Sequence, residues 1–97
     1  MRHDIIFAPE AVEDFRELRA HQRRAVRDRI EQHLRHEPTK QSKSRIKRLK
    51  GLRRPQYRLR VDEFRIFYDV AGRSVEVLAI VPKPQASEWL EKKGERG

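Results

Sequence analysis

The run YRLRVDEFRIFYDV, residues 57 to 70, alternates apolar and polar side chains in two stretches and breaks once, at Asp62-Glu63. Period-two alternation on both sides of a short polar break specifies two antiparallel strands. With Asp62-Glu63 as a two-residue turn, Val61 pairs with Phe64, Leu59 with Ile66 and Tyr57 with Tyr68. That face is continuously apolar, as a core face must be. The other face sets Arg60 across from Arg65 and Arg58 across from Phe67. A bulge would break this parity, and Asp-Glu is not a pair that the tightest hairpin turns favour.

Like charges placed opposite one another cost a few tenths to about 1 kcal/mol. Two arrangements relieve that cost. The arginines can spread into water with Asp69 as a partner, since strand outer faces are often charged. Alternatively, three permanently charged forks, Arg58, Arg60 and Arg65, hold an anion such as a phosphate. In the second arrangement Phe67 offers an aromatic surface for a stacked base.

The rest of the chain has to supply what covers the hairpin's apolar face. SVEVLAIVP, residues 74 to 82, is β-branched and apolar until Pro82 and reads as a central strand with helices on one face. His3 to Phe7 is short and β-prone. Pro9 and Glu10 then open a helix, with Ala11, Phe15 and Leu18 on one side. A second helix fits Gln22 to about Arg35 with Ala25, Val26, Ile30 and Leu34 inward, and it ends before Pro38. Thr39 to Ser44 reads as loop, and Ile46 and Leu49 allow a short strand before Gly51. The tail holds one or two helical turns before Gly94, with Trp89 packing beneath them. The expected fold is a single α+β domain over residues 1–97. In it an N-terminal strand and a helical hairpin pack on a twisted antiparallel sheet, with a short helix at the C-terminal end.

At 97 residues there is room for one modest core. Hydrophobic content of 36% and charged content of 40% are lean for a globular domain, yet the periodicity is too regular for a disordered one. No cysteine is present, which removes disulfides and Cys-bearing zinc sites. The apolar run at Ile5–Ala8 is too short for a signal peptide or a membrane span, so a cytoplasmic protein is expected. Net charge is +9, and it is unevenly distributed: Lys40 to Arg60 holds ten Lys or Arg and no acid, while the other 76 positions sum to −1. Such a block is either a solvated loop or the footprint of a phosphate-backbone binder. Within and beside it, Lys47, Arg48, Lys50, Arg53, Arg54, Phe67 and Lys83 are the candidate RNA contacts. His33 and His36 stand three apart without an evident third ligand, and no glycine-rich phosphate loop occurs, so neither metal nor cofactor is expected.

IIFAPEAVEDFREL, IKRLKG, YRLRVDEFRIFYDV and VEVLAIV, in that order, resemble the RelE/ParE family of toxins from type II toxin–antitoxin pairs, over about Ile5 to Val81. The specific element is the hairpin: Tyr-Arg/Lys-x-Arg followed by aromatic-Arg-Ile/Val-x-Tyr. The resemblance implies a RelE-like fold and a metal-free endoribonuclease that cuts translated mRNA on the ribosome. It also implies a toxin–antitoxin hetero-oligomer, in which a cognate antitoxin covers or distorts the arginine face. Arg58 and Arg60 stand where the family places Lys or Arg, and Arg65 matches its most recurrent arginine, implying stabilisation of transition-state charge. Lys83 matches a basic residue after the last strand. Pro84 and about Leu90 occupy positions where RelE-like nucleases usually carry an arginine and a tyrosine. Two alternatives therefore stay open: a ParE-like inhibitor of DNA gyrase that binds without cleaving, and a non-catalytic nucleic-acid-binding module.

Overall fold

The computed structural model describes residues 2–97. β1 (Asp4–Phe7) leads through Ala8 into α1 (Pro9–Arg16). Pro9 stands in the first helical turn, where its missing N–H costs nothing, and Glu10 meets the positive end of the helix. α2 (Ala20–Leu34) starts two residues earlier than periodicity places it, because the Gln22 side chain accepts the Arg19 N–H at 2.9 Å and caps the first turn.

After α2 come β2 (Ile46–Arg48), β3 (Leu52–Arg54), β4 (Tyr57–Val61), β5 (Phe64–Ala71) and β6 (Ser74–Pro82). A 3₁₀ turn at Lys83–Gln85 then leads into α3 (Ala86–Lys93) and β7 (Glu95–Arg96). The main sheet has the order β1-β6-β5-β4-β2, and β3 and β7 form a separate two-stranded ribbon. The β4–β5 register is the one the alternation specifies, from Tyr57–Tyr68 to Val61–Phe64. Asp62 takes up the turn with φ 50°, a left-handed conformation that aspartate tolerates better than most residues.

The sheet is mixed rather than wholly antiparallel. β1 pairs parallel to β6, with Ile5 beside Val75 and Phe7 beside Val77. A four-residue strand carries no signal of its partner's direction; α1 and α2 intervene, and the chain returns to this edge only at β6. A bulge does occur, but between β5 and β6 at Phe67/Tyr68, where it leaves the hairpin parity intact.

α1 and α2 cover one face. Ala11, Val26, Ile30 and Leu34 meet Leu59, Val61, Ile66, Tyr68, Val75 and Val77 in the main core. Tyr68 stacks on Tyr57 and donates its hydroxyl proton to the Pro38 carbonyl at 2.6 Å, so the buried phenol is satisfied. The opposite face has its own smaller cluster, Phe67, Ala79 and Val81, covered by Leu49 and by Ala86, Trp89 and Leu90 of α3. α3 therefore roofs part of the face that carries the arginines.

Candidate nucleic-acid interface

The alternation of β4 and β5 projects Arg58, Arg60 and Arg65 away from α1 and α2. The ladder sets Arg60 directly opposite Arg65 and Arg58 opposite Phe67. β2 adds Lys47 beside Arg58, since Lys47–Arg58 is a register pair. A continuous cationic patch thus crosses three strands, β2, β4 and β5.

The four cations are not equivalent. Arg60 and Lys47 are exposed. Arg58 is half-buried, and its Nε–H is buried without a hydrogen-bond partner. Arg65 is only 6% exposed, and its Nη1 donates to the carbonyls of Asp62 at 3.1 Å and Phe64 at 2.9 Å. One nitrogen of that fork holds the hairpin turn. Among the described residues none of the four forms an ion pair with a carboxylate. The electrostatics record the strain. Burial, then the Arg60 charge, lowers the Arg58 pKa below its ordinary value; burial, then Arg60 and Arg58, does the same to Arg65.

Asp69 does not relieve this repulsion. It pairs with Arg54 at 3.0 Å and accepts the Gln56 N–H at 2.8 Å, while Arg54 also reaches Glu76 at 2.8 Å. Arg53 pairs with Glu95 at 2.9 Å. Arg53 and Arg54 are thus engaged by the chain's own acids. Arg48 lies over the Tyr57 ring at 5.1 Å, Lys50 is exposed in the turn before Gly51, and exposed Lys83 follows β6, its N–H bonded to the Glu63 carbonyl beside the hairpin turn.

The expectation that Phe67 offers a stacking surface is corrected by the structure. Phe67 is fully buried, its ring stacked on Trp89 with centroids 4.8 Å apart and planes 2° from parallel. Alternation placed Phe67 on the right face but could not show that α3 folds back over it. Arg65's bonds to the turn were likewise invisible, because they depend on the path of the backbone. Trp89 packs as expected, and its indole N–H donates to Glu10 at 3.2 Å.

Where the arginines cluster, the sheet face presents no histidine or tyrosine from β2, β4 or β5, and its one carboxylate, Asp69 of β5, is held by Arg54 and by the Gln56 N–H. Tyr57 and Tyr68 lie on the core side, where burial, then Tyr57, drives the Tyr68 pKa upward. The patch can neutralise and orient a phosphate. Arginine holds its proton too tightly to act as a base. Among the described residues no group of three His, Asp or Glu side chains is placed to hold a metal ion, and no helix is long and apolar enough to cross a membrane.

Residues 5–86 match the family described as ParE toxin of type II toxin-antitoxin system, parDE. The chain belongs to this ParE toxin family. The ParE-family chain also shares its fold with solved structures. The RelB-RelE antitoxin-toxin complex of Methanococcus jannaschii contains a chain 24% identical to it, with a TM-score of 0.67 over 87% of this chain and 96% of that one. The archaeal RelE-RelB complex of Pyrococcus horikoshii OT3 gives 22% identity and 0.64 over 86% and 97%. The YoeB dimer of Staphylococcus aureus gives 18% and 0.63 over 84% and 97%. At these identities the likeness is one of fold. No curated protein sequence matches the chain.

Proposed function

We propose that this ParE-family toxin acts on RNA, cleaving translated mRNA on the ribosome, and that a cognate antitoxin neutralises it by covering or distorting the arginine face. The observation that carries this reading is the patch Lys47, Arg58, Arg60 and Arg65, which has no ion pair among the described residues and contains a buried, unpartnered guanidinium N–H. A cross-strand cluster of like charges is unfavourable alone and becomes favourable when a phosphate bridges it.

In such a cleavage the 2′-hydroxyl attacks the adjacent phosphate, and negative charge grows on the phosphate oxygens. Arg60 and Arg58 supply charge there, and Arg65 supports them from beneath while fixing the turn. Lys47, Lys50 and Lys83 extend the path for the flanking backbone, whereas Arg48 lies over Tyr57 on the other face of the sheet. The proton steps fall to water or to groups brought by the ribosome, because arginines do not trade protons at neutral pH. An acidic antitoxin segment would find the same unpaired cations, which is why one face serves both partners.

The absence of a proton-transfer group on the patch favours a second reading, a ParE-like protein that inhibits DNA gyrase by binding alone. Induced expression in bacteria, with RNA ends mapped within minutes, separates the two. Growth arrest with new cuts inside translated messages, both lost in Arg60→Gln, is the expected result. Arrest without cuts, together with loss of supercoiling activity, selects gyrase.

A further inference from the structure

A second concave surface lies around the far end of β6, between α1 and α3. It is a cleft of about 440 Å³ whose apolar lining includes Leu18, Phe64, Ile80 and Trp89. One rim is made of Glu10, Asp14 and Glu17. These positions are four and three apart, so they form a stripe along α1 and the residues just after it, beside the apolar stripe of Ala11, Phe15 and Leu18. Two of the carboxylates are fixed by bonds across the cleft. Asp14 Oδ2 accepts the Ile80 N–H at 2.9 Å, and Glu10 Oε1 accepts the Trp89 indole N–H at 3.2 Å.

The chain carries 24 Lys and Arg, yet among the described residues none of them pairs with Glu10, Asp14 or Glu17. Burial raises the Asp14 pKa above its ordinary value, against the Ile80 N–H, and the Glu10 and Glu17 charges add to the rise. The cleft is therefore the inverse of the arginine face: a mixed polar and apolar lining whose negative rim, two of its three carboxylates held in place, has no ion pair among the described residues, on a protein of net charge +9.

We infer that this cleft docks a basic amphipathic segment of a protein partner, which seats one large apolar side chain against Leu18, Phe64 and Ile80 and sets Lys or Arg against Glu10, Asp14 and Glu17. Nucleic acid and acidic peptides are repelled by the rim. A wholly apolar occupant would bury the three carboxylates unpaired, and that desolvation is costly. A flanking cation removes the cost and fixes the register of the apolar anchor. The inference stands apart from the RNA reading, since it uses different residues and charge of the opposite sign.

Trp89 is the only tryptophan in the chain and lines the cleft, so its emission reports occupancy. The full chain is titrated at low salt with a leucine/lysine amphipathic peptide of about a dozen residues, roughly three turns of helix, and with its leucine/glutamate counterpart. The expected result is a saturable emission change with the lysine peptide. Its affinity falls about tenfold or more, roughly 1.4 kcal/mol, in E10Q/D14N/E17Q and in the single exposed change Glu17→Lys, and is unaltered in Arg60→Gln. Asn at position 14 keeps an acceptor for Ile80, and circular dichroism checks that the variants are folded. The proposal is overturned by the absence of a saturable change, by equal binding to the folded charge variants, or by binding of the glutamate peptide that shifts Trp89 as strongly.

Discussion

At the residue scale, Arg58 and Arg65 look alike in sequence and do opposite things for stability. Arg58 carries a buried donor without a partner and faces a like-charged neighbour, whereas Arg65 ties two backbone carbonyls of the hairpin turn. An unsatisfied buried polar group costs about 1–3 kcal/mol, and a satisfied one contributes about 1 kcal/mol per bond. Arg58→Met is therefore expected to leave the melting temperature unchanged or raise it by a few degrees while weakening RNA binding. Arg65→Met is expected to lower stability by about 1–3 kcal/mol. Urea melts of the two variants, read beside RNA binding, check the contrast; a loss of stability in Arg58→Met equal to that in Arg65→Met counts against it. His33 gives the same scale a pH dependence. Burial, then the Arg45 and Arg29 charges, lowers its pKa below 6.5, so the unfolded chain takes up a proton before the folded one does. Stability is then expected to fall as pH drops below about 6.5 and to stop falling below the folded-state value. His33→Gln should flatten that segment of the urea-midpoint profile. A profile identical to wild type would show that other groups set it.

At the scale of elements, alternation specified the β4–β5 hairpin down to its register, because every partner of its apolar face is also in that face. α1 and α2 were legible for the same reason: Ala11, Val26, Ile30 and Leu34 recur at helical spacing and all of them are buried. What local pattern could not carry was the partner of each element. The parallel pairing of β1 with β6 joins segments some 70 residues apart, and the β3–β7 ribbon joins two short polar strands with no periodicity to mark them. The same gap misplaced Phe67. Its face was readable, but not the helix that covers it, and with that the patch lost its one aromatic. Trp89 is what holds α3 there, through its stack on Phe67 and its bond to Glu10. Trp89→Ala is expected to cost about 3 kcal/mol, at the low end for a large aromatic because Trp89 is only half-buried. It should also speed amide exchange across Ala86–Lys93. Unchanged exchange in that helix would mean that Ala86, Leu90 and the 3₁₀ turn suffice to hold α3.

On the scale of the whole molecule, net charge is a poor guide until the internal pairs are subtracted. Of the ten cations between Lys40 and Arg60, Lys40 is paired with Glu37, Arg53 with Glu95, and Arg54 with Asp69 and Glu76. That leaves seven without an acid among the described residues, and three of them, Lys47, Arg58 and Arg60, lie on one face of the sheet. Binding to a single-stranded polyanion releases counterions, and the logarithm of affinity falls with the logarithm of salt by about 0.7 for each phosphate neutralised. Lys47→Gln and Arg60→Gln should each make that slope shallower by about 0.7. Arg54→Gln should leave it unchanged, although it lies in the same basic block, because Arg54 is spent on Asp69 and Glu76. The measurement is a salt titration of binding to a short unstructured RNA with the three variants side by side. Equal reductions in all three would mean that RNA reads the block as a diffuse positive cloud. A reduction confined to Lys47 and Arg60 would mean that the sheet selects which of its cations meet the phosphates.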